Sequence, residues 1–202
     1  MNIFTTDISP VKSAINLDDI RVNKMIIESG ALLANAIAFH GGSPSDLPIS
    51  KTSGQPFKTK AWQNHPSCLW VKEADANYMW LHEHLVALIQ ELEYRRGTIH
   101  SMSANLKVLE KGALFLPKKD ITPFANCTPY KNIADVIEAY RSTMIYKWEH
   151  DGKNPTWSKR SPPEWYTSDA VDAVRSIEGE FPWTGLRQSR LKRTTGWLTN
   201  SI

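Results

Sequence analysis

The sequence is poor in cysteine, with only Cys68 and Cys127 among 202 residues. Two cysteines without a CxxC or Cys/His ligand spacing cannot form a disulfide framework, and they make a structural zinc site improbable. A glycine-rich phosphate loop and internal repeats are also missing from the sequence. We therefore predict neither a metal site nor a cofactor, and we expect two reduced thiols.

A long apolar run is lacking as well. No stretch reaches the roughly 18 apolar residues that a membrane-spanning helix needs. The opening "MNIFTTDISP" has no basic stretch followed by the apolar run of a signal peptide. We therefore expect a cytoplasmic protein.

Acidic residues are absent after Glu180, although the chain as a whole is nearly balanced, with 24 basic and 21 acidic residues and a net charge of +3. The segment that follows contains four basic residues, Arg187, Arg190, Lys192 and Arg193. A basic segment without acids is suited to neutralising DNA phosphates. A solvated surface tail is the alternative interpretation.

Helical spacing dominates what is present, and no convincing run of alternating strands occurs. Helices are predicted from Asn16, as the N-cap residue, to the stop at Gly41-Gly42, and then over residues 66–74, 75–95, 101–111, 132–152 and 168–179. The expected fold class is mostly α: a single all-helical domain of about five helices with long loops and an irregular basic C-terminal segment. We assign residues 1–165 to a helical catalytic and DNA-binding domain. Residues 166–202 would form a short helix and a basic, aromatic extension packed on it.

The first long helix carries charges along one side. Arg21, Lys24 and Glu28 recur at steps of three and four, with Asn35 two turns further on, so these residues share a face. A solvated row with a weak ion pair is one interpretation. The other is a carboxylate, bordered by apolar residues and tuned by neighbouring bases, that acts as a general acid or base.

Other candidate residues lie at helix ends and in loops. His65 precedes Pro66 at a helix entrance, where free backbone amides attract anions. Tyr140 and Lys147 share a face of the helix predicted over 132–152, with Arg141 at its edge. Aromatic and basic residues alternate in the loop-rich C-terminal third, and they include Trp157, Lys159, Arg160 and Trp165. Such alternation is typical of DNA-binding surfaces, although large aromatics also form small cores.

Several motifs together resemble a phage-encoded family. They are the opening "MNIFTTDISP", the helix "LDDIRVNKMIIES", the segment "NHPSCLWV", the helix "NYMWLHEHLVAL", the pair "AYR" followed by a lysine, and a late P-x-W. The family members that this sequence resembles are enzymes linked to phages with hypermodified thymine. They are called glutamyl/putrescinyl thymine pyrophosphorylases or amino acid:DNA transferases. The sequence also resembles, more distantly, the phage pyrimidine-dimer DNA glycosylases, which are small all-helical enzymes with a catalytic Glu on an early helix.

The resemblance implies roles for individual residues. Its D-x-x-x-x-K-M-x-x-E motif gives Asp19, Lys24 and Glu28, and its H-P-x-x-x-W motif gives His65 and Trp70. Its Y-R motif and the following lysine give three more positions, Tyr140, Arg141 and Lys147. The expected catalytic residues are then Glu28, Lys24 and His65, and the others would bind substrate or its phosphates.

One position departs from the family pattern. Arg21 stands where a histidine is usual, and an arginine stays protonated and cannot transfer a proton. It would suit a phosphate or pyrophosphate ligand instead.

The resemblance implies an enzyme that displaces pyrophosphate from a pyrophosphorylated 5-hydroxymethyluracil in double-stranded phage DNA. The displacing group would be an amine donor, either an amino acid such as glycine or a polyamine, and the reaction would take place in the cytoplasm of the infected bacterial host. The alternatives are a pyrimidine-specific DNA glycosylase/AP lyase and a non-enzymatic phage DNA-binding protein.

Overall fold

The structure is a computed structural model that describes residues 2–177, and within that range the fold is helical, without a strand. Seven α-helices follow one another in the described residues: α1 Pro10–Ile15, α2 Asp19–Phe39, α3 Pro66–Glu73, α4 Asp75–Arg96, α5 Leu106–Gly112, α6 Val136–His150 and α7 Ser168–Ile177. Three short 3-10 turns lie at Pro44–Asp46, Ser101–Asn105 and Ala113–Phe115. The mostly α fold class predicted from the sequence is confirmed.

The two longest helices, α2 and α4, pack against each other and form the centre of the molecule. Fully buried aliphatic residues line their contact, among them Met25, Leu33, Leu81 and Leu88. The short helices α1, α3 and α5 cover this pair. Burial of so many large apolar side chains supplies the main driving force for the fold.

The predicted opening helix is in fact two helices. The sequence analysis began it at Asn16, but Asn16 closes α1 and Asp18 is the N-cap residue of α2. Asp18 has an extended backbone, and its side chain accepts hydrogen bonds from Arg21 and Trp148 rather than from a backbone amide. Tertiary partners therefore decide where α2 begins. The predicted end is confirmed, since α2 ends at Phe39 and Gly41 has a positive φ of 91°.

Helix α6 also begins later than predicted. Asp135, not Asn132, is its N-cap residue and accepts hydrogen bonds from the amides of Ile137 and Glu138. The predictions for α3 and α4 agree with the structure to within one residue at each end, and that for α7 agrees at its start, its predicted end at 179 lying outside the described residues. The helix predicted over 101–111 is a 3-10 turn at Ser101–Asn105 followed by α5.

By length and composition α2 is a candidate to cross a membrane, but 61% of the relevant window is buried inside the protein. That burial is typical of a core helix. Ile20 and Ile27, which flank Lys24 at steps of four and three on α2, are by contrast 49% and 48% exposed. The buried side of α2 instead contains Val22, Met25 and Ile26.

A second, smaller core lies between α6 and α7. It is formed by Tyr130, Ala139, Ile145 and Val174. The part of the predicted extension that is described, residues 166–177, therefore packs on α6. The division into two segments at residue 165 stays a prediction.

Candidate active site

The amino-terminal segment lies buried between α2 and α6 and reaches the predicted catalytic carboxylate. Ile3, Phe4, Thr5 and Thr6 are all buried. The backbone nitrogen of Asn2 donates a hydrogen bond of 3.0 Å to Glu28 Oε2. The first residues of the chain thus form one wall of the site.

Asn2 shapes this wall with its side chain. Its Oδ1 accepts hydrogen bonds from the backbone amides of Ile3 and Phe4, at 2.8 and 3.2 Å, and its Nδ2 donates to the carbonyl of Cys127 at 3.4 Å. Phe4 has a positive φ of 56°, which is unfavourable for a bulky residue. The strained turn is held by these contacts and places Phe4 at the edge of a cleft.

Glu28 is mostly enclosed, and the cation that pairs with it among the described residues is largely exposed. Lys24 Nζ lies 3.5 Å from Glu28 Oε1, and the Lys24 side chain is 64% exposed whereas that of Glu28 is 20% exposed. An exposed pair at i,i+4 contributes only a few tenths of a kcal/mol. Glu28 can therefore exchange Lys24 for a substrate group at little cost.

His65 lies within the electrostatic reach of Glu28. It is the N-cap residue of α3, and its Nδ1 accepts a hydrogen bond from the amide of Ser67. Burial lowers the pKa of His65, while the negative charge of Glu28 opposes that shift. The imidazole is then neutral near pH 7 and can exchange a proton with a bound group.

Next to Glu28, the ends of α2 and α6 enclose a cleft of about 420 Å³. Four cationic and two carboxylate side chains line it, together with His150: Arg21, Lys24, Lys147 and Lys153 against Asp18 and Asp151. The charged side chains that line the cleft therefore carry a net positive charge. A cleft with that balance favours an anionic ligand such as a phosphate.

Lys147 lines the cleft and also lies close enough to Glu28 to feel its charge. Burial lowers the pKa of the Lys147 ammonium group; Asp151 and Glu28 oppose the shift, whereas Arg21 and Lys24 add to it. A lysine in such surroundings loses its proton more readily than an exposed one. The group can therefore serve as an anion ligand or, when neutral, as an amine nucleophile.

With this geometry established, comparison with known proteins places the chain in a family. The model of the pyrimidine dimer DNA glycosylases matches residues 1–105, which is half of the sequence. The chain belongs to that family. Comparison with curated proteins and with solved structures gave no match. This family member is thus a DNA-acting enzyme of the glycosylase-like kind, and DNA is its macromolecular partner.

The matched part of the glycosylase-family chain contains Glu28, Lys24, Arg21 and His65, whereas Lys147 lies beyond it. Sequence reasoning did not select Asn2, Phe4 or Lys153 as site residues. The opening "MNIF", which resembles the family pattern, could have indicated Asn2 and Phe4. Lys153 follows the end of α6, and only the folded chain brings it to the cleft.

Arg21, which the sequence analysis offered as a phosphate ligand, lies in the lining of the cleft but is paired with two carboxylates. Its Nη1 donates to Asp18 Oδ1 at 2.9 Å, its Nη2 donates to Asp151, and the side chain is almost fully buried. Two carboxylates thus already match its charge. The four residues of the predicted polar row therefore have different surroundings. Arg21 connects α2 to the end of α6. Asn35 is buried, and its Nδ2 donates to the Ala31 carbonyl.

This difference gives a prediction with an internal control. Arg21→Ala leaves the buried Asp18 carboxylate without its cation, so we expect it to lower the free energy of unfolding by about 3 kcal/mol. Lys24→Ala removes an exposed side chain, so we expect less than about 0.5 kcal/mol but weaker DNA binding. Urea denaturation and DNA titration of both variants measure the two effects. Equal stability of the two variants would contradict the ion-pair role of Arg21.

Asp19 has a structural rather than a substrate-facing position in this family member. Its carboxylate accepts hydrogen bonds from Arg95 Nη1 at 3.0 Å, from Thr156 Oγ1 at 3.0 Å and from Ser158 Oγ at 2.7 Å. Burial raises the pKa of Asp19, but the hydrogen bonds from Ser158, Arg95 and Thr156 outweigh it and hold the pKa below its usual value. Arg95 also contacts Glu91, which forms a two-point pair with Arg160.

Tyr140 and Arg141 connect α6 to the elements around Glu28. The Tyr140 hydroxyl donates to the Ala125 carbonyl at 2.8 Å and accepts from the Cys127 amide at 3.2 Å. Arg141 Nε donates to the Thr6 carbonyl at 3.0 Å. Both residues therefore hold the loop and the amino-terminal segment that surround the site.

Trp70 and the described aromatics of the C-terminal third, Trp157 and Trp165, are packed against other rings. The ring of Trp70 is buried against Trp80 and Phe124. Trp148 lies between Trp157 and Trp165, with ring centroids 4.9 and 5.4 Å away. These rings form an interior cluster, which is the alternative that the sequence analysis left open.

The basic residues predicted to bind DNA differ in their surroundings. Arg160 is held by Glu91, and Lys159 is exposed with its Nζ bonded to the Tyr94 carbonyl. Arg187, Arg190, Lys192 and Arg193 lie outside the described residues, so their role stays a prediction.

Proposed function

We propose that this protein modifies a pyrimidine in double-stranded DNA by displacing an anionic leaving group with an amine. The observation that carries the proposal is the excess of positive charge in the cleft beside Glu28. A glycosidic bond breaks through a positively charged sugar, which neighbouring cations destabilise, whereas a departing pyrophosphate is stabilised by them. The proposed substrate is therefore 5-hydroxymethyluracil that already carries a pyrophosphate, and the donor is an amino acid or a polyamine.

In the proposed step the donor nitrogen forms a bond to the 5-methylene carbon of the base. The bond between that carbon and the pyrophosphate oxygen breaks, and pyrophosphate leaves with the electron pair. The proton lost by the amine would pass to the Glu28 carboxylate, which pairs with Lys24 of the cleft lining. Lys24, Lys147 and Lys153 would hold the phosphate oxygens of the leaving group. His65 would contact the substrate from another side of Glu28.

The phage-type motifs of the sequence support the proposal of a setting in which such DNA exists. We place the reaction in the cytoplasm of a phage-infected bacterium.

A second function is favoured by the family match and by the position of Lys147. In a glycosylase/AP lyase, a neutral amine attacks the C1′ carbon of deoxyribose, the glycosidic bond breaks, and the base leaves with a proton. Lys147, whose pKa burial lowers, would be that amine and Glu28 would stabilise the charged sugar. The resulting imine is reducible by borohydride to a permanent protein–DNA bond.

One pair of assays separates the two functions. The native protein is incubated with duplex DNA that contains pyrophosphorylated hydroxymethyluracil and with glycine or putrescine, and the nucleosides are analysed by mass spectrometry. We expect an aminated thymidine and released pyrophosphate, and no borohydride-trapped complex. A trapped complex that disappears in Lys147→Arg, together with a released base and no aminated nucleoside, would establish the glycosylase/lyase instead. If neither product forms and DNA is still bound, the chain is a non-enzymatic DNA-binding protein.

A further inference from the structure

The connection between the 3-10 turn at Pro44–Asp46 and α3 contains no acidic residue. From residue 47 to residue 72 the sequence has no Asp or Glu, and Lys51, Lys58 and Lys60 in this stretch are exposed. An exposed segment with cations and no carboxylates attracts a polyanion. We refer to residues 47–65 as the lysine loop.

Trp62 is presented outward at the end of the lysine loop. Its side chain is 56% exposed, although it is one of the largest apolar side chains in the protein. Its backbone has a positive φ of 65°, a conformation that bulky residues rarely adopt. A hydrogen bond of 3.0 Å from the His65 amide to the Trp62 carbonyl closes the turn, and Gln63 Nε2 donates to the Thr59 carbonyl at 2.8 Å.

The exposed ring stands at the rim of the active site. The Trp62 indole meets the His65 imidazole edge-on, with ring centroids 6.2 Å apart. His65 in turn lies within the electrostatic reach of Glu28. A base pair that contacts Trp62 would therefore lie beside the nucleotide that reaches Glu28.

We propose that Trp62 inserts into the base stack of bound DNA next to the target pyrimidine, while Lys51, Lys58 and Lys60 bind the flanking phosphates. Apolar side chains that enter a base step unstack it and bend the duplex. Unstacking lowers the cost of turning the target nucleotide toward an enzyme site. This inference rests on the proposed action on a DNA base and names the residue that opens the duplex for it.

The test uses a DNA duplex in which 2-aminopurine neighbours the target pyrimidine, because this base fluoresces when it is unstacked. We expect the native protein to raise the fluorescence. Trp62→Ala should abolish the rise and weaken DNA binding about 5- to 100-fold, the range expected for the loss of one stacked aromatic. Trp62→Phe should restore part of both signals, because a smaller ring still stacks.

Leu114→Ala serves as the matched control, since Leu114 is 77% exposed and lies on the turn after α5. It should match the native protein in fluorescence and affinity. Native fluorescence and affinity in Trp62→Ala would overturn the insertion role. Replacing Lys51, Lys58 and Lys60 by Gln should reduce the slope of log affinity against log salt by about 0.9 unit for each lost phosphate contact, and an unchanged slope would remove the loop from the DNA interface.

The outcomes keep this inference distinct from the proposed function. If the native protein modifies a base and Trp62→Ala does so equally well, only the insertion role fails. If the native protein unstacks DNA through Trp62 but yields neither an aminated nucleoside nor a trapped complex, only the proposed chemistry fails. If it binds no DNA, both are overturned.

Discussion

Replacement of Glu28 by glutamine is expected to lower the rate of base modification by about 10²- to 10⁴-fold, the usual contribution of a general base. Glutamine has nearly the same shape, and its carbonyl oxygen can still accept the hydrogen bond from the Asn2 amide. It cannot take up the proton that the attacking amine releases. Single-turnover kinetics on pyrophosphorylated DNA measure the rate separately from binding.

DNA affinity of Glu28→Gln should be kept or raised, because a negative charge near the phosphates is removed. The matched control is Glu83→Gln, a substitution at an exposed position of α4. It should have native rate and affinity. A native rate in Glu28→Gln would show that Lys24 and Glu28 form only a surface ion pair without a role in the reaction.

Replacement of Asp19 by alanine is expected to give the largest loss of stability, about 3 to 5 kcal/mol. The substitution removes one of the two carboxylates that pair with the buried guanidinium of Arg95, with Glu91 remaining, and it removes the acceptor for Thr156 and Ser158. Urea denaturation at pH 7 measures this loss. Asp120→Asn, at an exposed position, is the control and should change stability by less than about 0.5 kcal/mol.

The same carboxylate predicts a pH dependence. The pKa of Asp19 in the folded protein is below its usual value, so its stabilising contribution is complete above about pH 4. The contribution falls as the pH decreases toward the folded-state pKa, because the unfolded chain then binds the proton more readily. Asp19→Asn should therefore lose less stability than the native protein between pH 5 and acid pH. An equal loss in both would show that Asp19 is not linked to folding.

The sequence predicted much of the helical framework correctly because the signals for it are local. Pro66 after His65, Gly97 after two arginines and Gly41 after an apolar run mark helix ends by backbone chemistry alone. Helical spacing likewise predicted α4 over residues 75–95, close to the observed Asp75–Arg96. The same local signals failed at α1 and at the start of α2.

Part of the site was also predictable from spacing. Lys24 and Glu28 are neighbours because they lie four residues apart on one helix, and that pair is formed. The family-like motifs added His65 and Lys147, which the fold brings within the electrostatic reach of Glu28. Their roles in the reaction stay predictions until the variants are measured.

Helical spacing determined which residues share a face of α2, but only the tertiary structure decided what each of them contacts. Arg21 lies on the predicted face, yet it is buried because Asp151 reaches it from 130 residues further along the chain. The Asn2 amide contacts Glu28 across 26 residues, and Asp19 meets Ser158 across 139. Such contacts depend on how helices pack and on which buried charges must be paired. Periodicity records only neighbours within a helix, so from the sequence alone Asp19, Arg21 and Glu28 look equally functional. In the folded protein Asp19 and Arg21 are paired with buried partners, whereas Glu28 lies beside the cleft and is paired with the exposed Lys24.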